Sequence, residues 1–392
     1  MKRPSTKRLL LLIAAFLLAV VAALAWNSRE RPQPAARVQS VAVAEAAADG
    51  FARATGPAPL SFPADYGPHD DYQTEWWYYT GNLEDPSGRH FGFQFTIFRR
   101  ALQPPAQRTD RASDWATEQV YMGHFAVTDV AGRRFRAFER FSRGAAGLAG
   151  AQADPYRVWL EDWQVADVPG RPGVTRIQAA ADGVAVDLTL TDRKGPVLQG
   201  DRGYSQKGPD PGNASYYYSL TRLVTEGTVT VDGRTYAVRG LSWKDHEYST
   251  SALAPDQVGW DWFALQLDDG TELKVFHIRR ADGSVDPFSA GSFVDQDAAV
   301  TRLARDDFQI AVLDTWRSPR TGAQYPSRWR VIVPGLGLDL TVEPWLADQE
   351  LNVSYAYWEG AVRITGARQG RPVAGNGYVE MTGYAGSMQG QF

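Results

Sequence analysis

The stretch LSWKDHEYS, residues 241–249, sets Asp245, His246 and Glu247 side by side behind Trp243. Three adjacent titratable side chains can form a catalytic centre, or a turn whose charges satisfy backbone amides. Trp243 lies two residues before Asp245, so on a strand the two share a face, and Trp260 and Trp262 open the strand that follows. A carboxyl held among indole rings loses hydration, which raises its pKa and favours the protonated form. Such an acid can donate a proton to an otherwise unreactive double bond, and facing rings can stabilise the resulting carbocation. Glu75, just ahead of Trp76 and Trp77, is a second carboxyl in a similar setting. The competing reading is structural: both carboxylates accept backbone or indole N–H bonds and lock strand ends.

Other chemistry finds little support. His246-Glu247 begins like the zinc motif H-E-x-x-H, but Thr250 stands where the second histidine is needed. No G-x-S-x-G elbow occurs, since GLSW and GYSQ both fail at the last glycine, and there is no glycine-rich phosphate loop. The five histidines, His69, His90, His124, His246 and His277, show no metal-ligand spacing. Neither a metal nor a cofactor is expected. The absence of cysteine excludes disulfides, a thiol nucleophile, thiolate metal sites and a lipoprotein anchor. A formal charge of -4 leaves no electrostatic footprint for nucleic acid.

The elements that must position these residues read as strands. The load of 13 Trp, 17 Tyr and 17 Phe favours sheets and apolar pockets. EWWYYTGNLEDPSGRHFGFQFTIFRR is an aromatic strand, a turn and an alternating strand. HFAVTDVAGRRFRAF, VAVDLTL, TVTVDGRTYAV and LGLDLTVEPW repeat the style, and Asp232-Gly233 fits a two-residue hairpin turn. Long apolar stretches of helical period are nearly absent after the leader, so an all-β fold is predicted. Trp76 to Asp85 aligns without gaps on Trp260 to Asp269, and each hairpin ends in paired arginines, Arg99-Arg100 and Arg279-Arg280. This echo argues for two related halves, divided near residue 252. Residues 198–219, rich in Gly and Pro, form a long irregular segment that suits either a binding loop or a surface excursion. The start of the chain, with Lys2, Arg3, Lys7 and Arg8 before an apolar run from Leu9 to Ala25, reads as a signal peptide or an inner-membrane anchor. Residues 27–58 read as a flexible linker. The expected organisation is therefore leader 1–26, linker 27–58, and β domains at 59–252 and 253–392, placed outside the cytoplasm.

EWWYYTG (75–81), HFAVTD (124–129), PGNASYYYSLTRL (211–223), LSWKDHEYS (241–249), GWDWFALQL (259–267) and YWEGAVRITG (357–366) together resemble the lipocalin-like group of AttH proteins and carotenoid 1,2-hydratases, or hydroxyneurosporene synthases. The resemblance covers residues 62–386. It implies two calycin-like β-barrel or sandwich domains side by side, with a ligand cavity at or near their interface. In carotenoid hydratases it implies water addition to an isoprenoid double bond by an acidic residue, without a cofactor. Fungal relatives include pericyclase-type enzymes, and many bacterial relatives are exported proteins. The W-x-D-H-E segment falls on Trp243, Asp245, His246 and Glu247, with Lys244 and Tyr248 where many relatives carry Met and Trp. On a strand Lys244 faces away from Asp245.

These readings converge on a protein that binds a hydrophobic, isoprenoid or lipid-like molecule between two domains. The expected catalytic set is Asp245 as acid, His246 as its partner and Glu75 as a second polar anchor. Trp76, Trp77, Tyr79, His124, Tyr218, Trp243, Trp260 and Trp262 are the expected ligand-binding residues. The activity would be cofactor-free hydration or isomerisation. The alternatives are a non-catalytic lipid carrier of the cell envelope, working with an inner-membrane export complex, and a secreted hydrolase.

Overall fold

A computed structural model describes residues 49–109, 112–250 and 253–388. The leader, most of the linker and the expected boundary at 252 lie outside the described residues. Among these residues the regular elements are strands and four short 3₁₀ turns, so the fold is all-β. The first sheet holds β1 (Thr74–Glu84), β2 (His90–Ala101), β3 (Gln119–Asp129), β4 (Arg134–Arg143), β5 (Ala149–Ala153), β6 (Tyr156–Leu160), β7 (Trp163–Asp167), β8 (Val174–Ala181), β9 (Val184–Asp192), β10 (Val197–Leu198), β11 (Tyr204–Gln206), β12 (Ala214–Val231) and β13 (Arg234–Ser249). The second holds β14 (Gln257–Leu267), β15 (Glu272–Arg280), β16 (Ala290–Val294), β17 (Val300–Ala304), β18 (Gln309–Arg317), β19 (Gln324–Val333), β20 (Leu338–Pro344), β21 (Glu350–Asn352), β22 (Ala356–Arg368) and β23 (Arg371–Met381).

Both sheets curl into nearly closed, barrel-like halves with the same plan. The first strand of each pairs antiparallel with the second and with the last: β1 with β2 and β13, β14 with β15 and β23. The strand order is β4-β3-β2-β1-β13-β12-β9-β8-β7-β6-β5 in one and β17-β16-β15-β14-β23-β22-β20-β19-β18 in the other. The turn between β12 and β13 is the Asp232-Gly233 pair, both with positive φ (51° and 74°), which matches the right-handed twist of the flanking strands.

β1 and the second half of β13 are buried along both faces, which explains why their sequences are nearly continuous in aromatic residues rather than alternating in polarity. Every other side chain fills the first barrel, where Trp77, Tyr79, Phe93, Phe95 and Trp163 meet. The intervening ones face the second sheet, forming a separate apolar layer with Tyr78, Trp243, Trp262, Phe276 and Tyr378. The second barrel has its own interior around Phe263, Trp329, Leu340 and Val362.

The hairpin echo corresponds to equivalent places in the two halves. Asn82 and Gln266 align in it, and each sends its side-chain amide into the opposite sheet. Asn82 Nδ2 donates to the Gly377 carbonyl at 2.8 Å, and Gln266 Nε2 to the carbonyls of Thr221 (2.7 Å) and Ser242 (3.0 Å). Close by, a Cβ added to Gly92 would lie 2.5 Å from the Ala361 Cβ, so only glycine fits where the sheets touch. Valine is otherwise a good strand residue, so here overpacking decides the sign. Gly92→Val is expected to lose about 1–3 kcal/mol of stability, read as a lower urea midpoint with unchanged slope.

Candidate functional site at the junction of the sheets

Where the two sheets face each other they form a partly open cavity of about 150 Å³. β1 contributes Thr74, Trp76 and Tyr78, and β13 contributes Asp245, Glu247 and Ser249. Tyr217 and Ser215 come from β12, Trp260 and Trp262 from β14, Phe276 and Ile278 from β15. The far wall carries Tyr357 and Glu359 of β22 and Glu380 of β23. Lys207 enters from the irregular segment after β11, which therefore supplies part of the wall.

Asp245 is 4% exposed and accepts hydrogen bonds from the Trp243 indole N–H (2.6 Å), the Ser219 hydroxyl (2.5 Å) and the Tyr217 hydroxyl. Burial pushes its carboxyl up to about 6, against these donors and the charge of Lys274. Three donors aimed at one carboxyl favour its ionised form, so Asp245 is chiefly a carboxylate at neutral pH. Lys274 is buried, with its ammonium 4.4 Å from the Tyr217 ring centroid and 4.3 Å from that of Phe276. Burial lowers it to about 7, and the neighbouring Lys207 adds to the effect. Lys207 itself pairs with Glu247 at 3.1 Å.

Glu359 and Glu380 behave differently. They are directly opposite each other on the paired strands β22 and β23, and neither forms an ion pair among the described residues. Burial pushes Glu359 well above the usual carboxylate range, the Glu380 charge adds to this, and a hydrogen bond from Tyr78 Oη (3.0 Å) opposes it. Burial likewise raises Glu380 to about 8, against a bond from the Trp260 indole and with the charges of Asp245 and Glu247 reinforcing it. At neutral pH this pair holds at least one proton beside the cavity.

The opposite face of the same two strands holds a second polar cluster, sealed from the cavity. Glu75 Oε1 accepts from His246 Nε2 and from His69 Nδ1, both at 2.8 Å, and Oε2 accepts from Arg99 Nε at 2.8 Å and the His69 amide at 3.0 Å. His69 Nε2 donates to Asp65 at 2.8 Å, and the Tyr218 hydroxyl lies 2.9 Å from His246 Nδ1. Lys244 Nζ donates to that hydroxyl at 3.2 Å and sits among the rings of Tyr66, Tyr79, Tyr156 and Tyr218. Burial would raise Glu75, yet Arg99 and the two imidazoles hold it well below the usual range. Burial drives His246 down to about 4, so it is neutral, and lowers Lys244 to about 7. Burial also opposes the charge on His69, but the bonds to Asp65 and Glu75 prevail and lift it to about 9. The ligand atoms of His69, Glu75 and His246 lie within 4.8 Å of one another, close enough to hold a cation. Their donors and acceptors are already matched and Arg99 supplies the counter-charge, so the cluster closes as a hydrogen-bonded network.

The AttH-like family model matches residues 53–384. The chain belongs to the AttH-like family. A crystal structure of an AttH protein from Nitrosomonas europaea is 36% identical, with a TM-score of 0.75 over 85% of this chain and 100% of that one. Kievitone hydratase from Nectria haematococca shares the fold at 16% identity, with a TM-score of 0.64 over 86% and 98% of the two chains. CghA shares it more distantly, at 11% identity and a TM-score of 0.51 over 85% and 96%. No curated protein matches the chain.

Of the residues singled out in the sequence, Asp245, Trp76, Trp260 and Trp262 line the cavity, and Trp243 stands behind Asp245 as its donor. The pairing of Asp245 with His246 is corrected, because successive side chains of β13 point to opposite faces. Glu75, Trp77, Tyr79 and Tyr218 are on the barrel side with His246, and their neighbours Tyr78 and Tyr217 line the cavity instead. His124 is fully buried behind Tyr357, to whose hydroxyl it is bonded. Glu359 and Glu380 escaped notice, although a glutamate inside each of the apolar runs YWEGAV and GYVEMT of this AttH-like chain is a readable signal.

The barrel-side network yields two expectations. His69 has a folded pKa near 9 against 6.5 unfolded, so its stabilisation is full below pH 6.5 and is lost as pH rises through 9. Lys244 gives the opposite slope, its buried charge being relieved between about 7 and 10.5. The difference in urea stability between wild type and His69→Gln isolates the first effect and should shrink steadily from pH 6.5 to 9. Glu75→Gln removes the buried ion-pair partner of the fully buried Arg99 and leaves it only the half-exposed Asp70 carboxylate at 3.7 Å, which is expected to cost about 3–5 kcal/mol at pH 7.

Proposed function

We propose that the junction cavity of this AttH-like protein binds a hydrophobic, isoprenoid or lipid-like ligand, and that the protein acts as a cofactor-free hydratase or isomerase of a carbon–carbon double bond. The observation that carries this reading is the Glu359–Glu380 pair, a proton-holding acid beside aromatic walls. Glu380, raised to about 8, gives its proton to one alkene carbon. The cation formed on the other carbon faces the rings of Trp76, Trp260 and Trp262 and the fixed carboxylate of Asp245. Water adds to that carbon and releases its proton to a cavity carboxylate, or a neighbouring C–H proton leaves and the double bond moves. Two carboxyls pushed apart in pKa thus take the acid and the anionic roles. Kievitone hydratase supports the reading to the extent that the same fold accommodates a hydratase. A hydrolase fits less well, because among the described residues no histidine lines the cavity to activate a serine. The apolar leader supports placement outside the cytoplasm, where the same cavity could serve a lipid carrier beside an export complex.

Native mass spectrometry of protein purified from its own envelope is expected to show a co-purifying isoprenoid or lipid. Incubating that ligand with the protein in H₂¹⁸O should give the hydrated or isomerised product. Glu380→Gln is expected to slow conversion by about 10²–10⁴-fold while ligand binding persists, and wild-type activity should fall as pH rises above about 8. A ligand that binds and is returned unaltered by the wild type establishes the carrier instead.

A further inference from the structure

A third buried cluster connects the cavity wall to the rim of the first barrel. Glu139 of β4 accepts hydrogen bonds from the Ser354 hydroxyl (2.5 Å) and the Ser354 amide (3.2 Å), and lies 3.0 Å from His124 Nε2. His124 Nδ1 lies 2.7 Å from the hydroxyl of Tyr357, which lines the cavity. The imidazole is completely buried and Glu139 is 15% exposed. The series therefore spans both sheets, from β4 through β3 to β22.

Its proton positions follow from the acceptor at the far end. Burial would raise Glu139, but the bonds from His124 and Ser354, together with the charge His124 carries when protonated, outweigh it and keep the carboxyl below the usual range. An ionised carboxyl can only accept, so Nε2 of His124 carries the hydrogen. In the neutral imidazole Nδ1 is then a bare lone pair, and the hydrogen of the Tyr357 hydroxyl is committed to it. Toward the cavity the phenol oxygen has only lone pairs left. Tyr78 is set the same way, its hydroxyl donating to Glu359.

We propose that Glu139, His124 and Tyr357 form a polarised triad that makes Tyr357 a hydrogen-bond acceptor for a hydroxyl group of the cavity's ligand. The cavity then offers an acid proton on the glutamate pair and acceptor oxygens on two tyrosines, the complement of an alcohol or a bound water, which accepts one bond and donates another. An ether or a carbonyl oxygen at Tyr357 meets lone pairs with lone pairs. The inference rests on the cavity being the ligand site, and it adds the polarity that selects the ligand. Tyr357 touches the ligand, whereas His124 and Glu139 are positioning residues.

Two measurements on the full chain test it. Histidine-selective ¹⁵N spectra should show His124 with Nε2 protonated and Nδ1 bare, with the Nδ1 signal moving in Tyr357→Phe. A protonated Nδ1 in the wild type makes His124 donate to the Tyr357 oxygen instead of accepting from it and overturns the proposal. Tryptophan fluorescence titrations with geraniol and with geranyl methyl ether should show the alcohol binding at least about tenfold more tightly, with the preference lost in both Tyr357→Phe and Glu139→Gln. Equal affinities, or no binding of either probe, overturn the hydroxyl subsite. Such a failure leaves the broader cavity reading standing, since the co-purified ligand decides that separately.

Discussion

Neighbouring side chains on an extended strand cannot share a face, and β1 and β13 turn this constraint into the plan of the molecule. β1 and the second half of β13 are buried on both sides, so there each peptide unit separates two unlike environments. Trp76, Tyr78 and Asp245 look into the cavity, while Glu75, Trp77 and His246 look into the first barrel. The barrel-side network fixes the strands from behind. Arg99, wholly buried, bonds Glu75 and the carbonyls of His69 and Tyr72, tying the segment before β1 onto the sheet. The geometry of the cavity wall is therefore set largely by contacts that no ligand touches.

The same low-dielectric setting gives the cavity carboxyls different characters. Asp245 has three donors and a nearby ammonium, so burial moves it only to about 6. Glu359 and Glu380 have one donor each, so burial and repulsion act together, from Glu380 on Glu359 and from Asp245 and Glu247 on Glu380. Protonation is the inexpensive escape for two unpaired acids in such a place. What separates the acid from the carboxylate is thus the supply of donors, a property of the second row of residues: Trp243 and Ser219 behind Asp245, and the single hydroxyl of Tyr78 before Glu359.

Much of this architecture was legible in the chain, and the failures have physical causes. Hairpin punctuation gave the all-β class, and Asp232-Gly233 forms the expected tight turn because both residues tolerate positive φ. The W-x-D spacing placed Trp243 and Asp245 together, since i and i+2 share a face on a strand. Phase was harder to read. In runs such as WWYY and YYY both faces are aromatic, so nothing in the sequence says which parity meets the cavity, and Trp77, Tyr79 and Tyr218 face the barrel instead. Glu359 and Glu380 were missed for another reason. Their significance lies in a cross-strand register between β22 and β23, which a lone glutamate inside each apolar run does not reveal.

The hairpin echo connects the cavity to the way the halves meet. Its aligned pairs Trp76 with Trp260 and Tyr78 with Trp262 all line the cavity, and Asn82 with Gln266 bond across the junction. At the Asn82 end the sheets touch closely, with Gly92 against Ala361, an amide on the Gly377 carbonyl and the stacked rings of His90 and Trp345. At the Trp76 end the facing residues are indoles and phenols that line the cavity. The polarity of this pocket can be retuned by single residues on β13, β22 and β23, whose side chains point away from the barrel interiors.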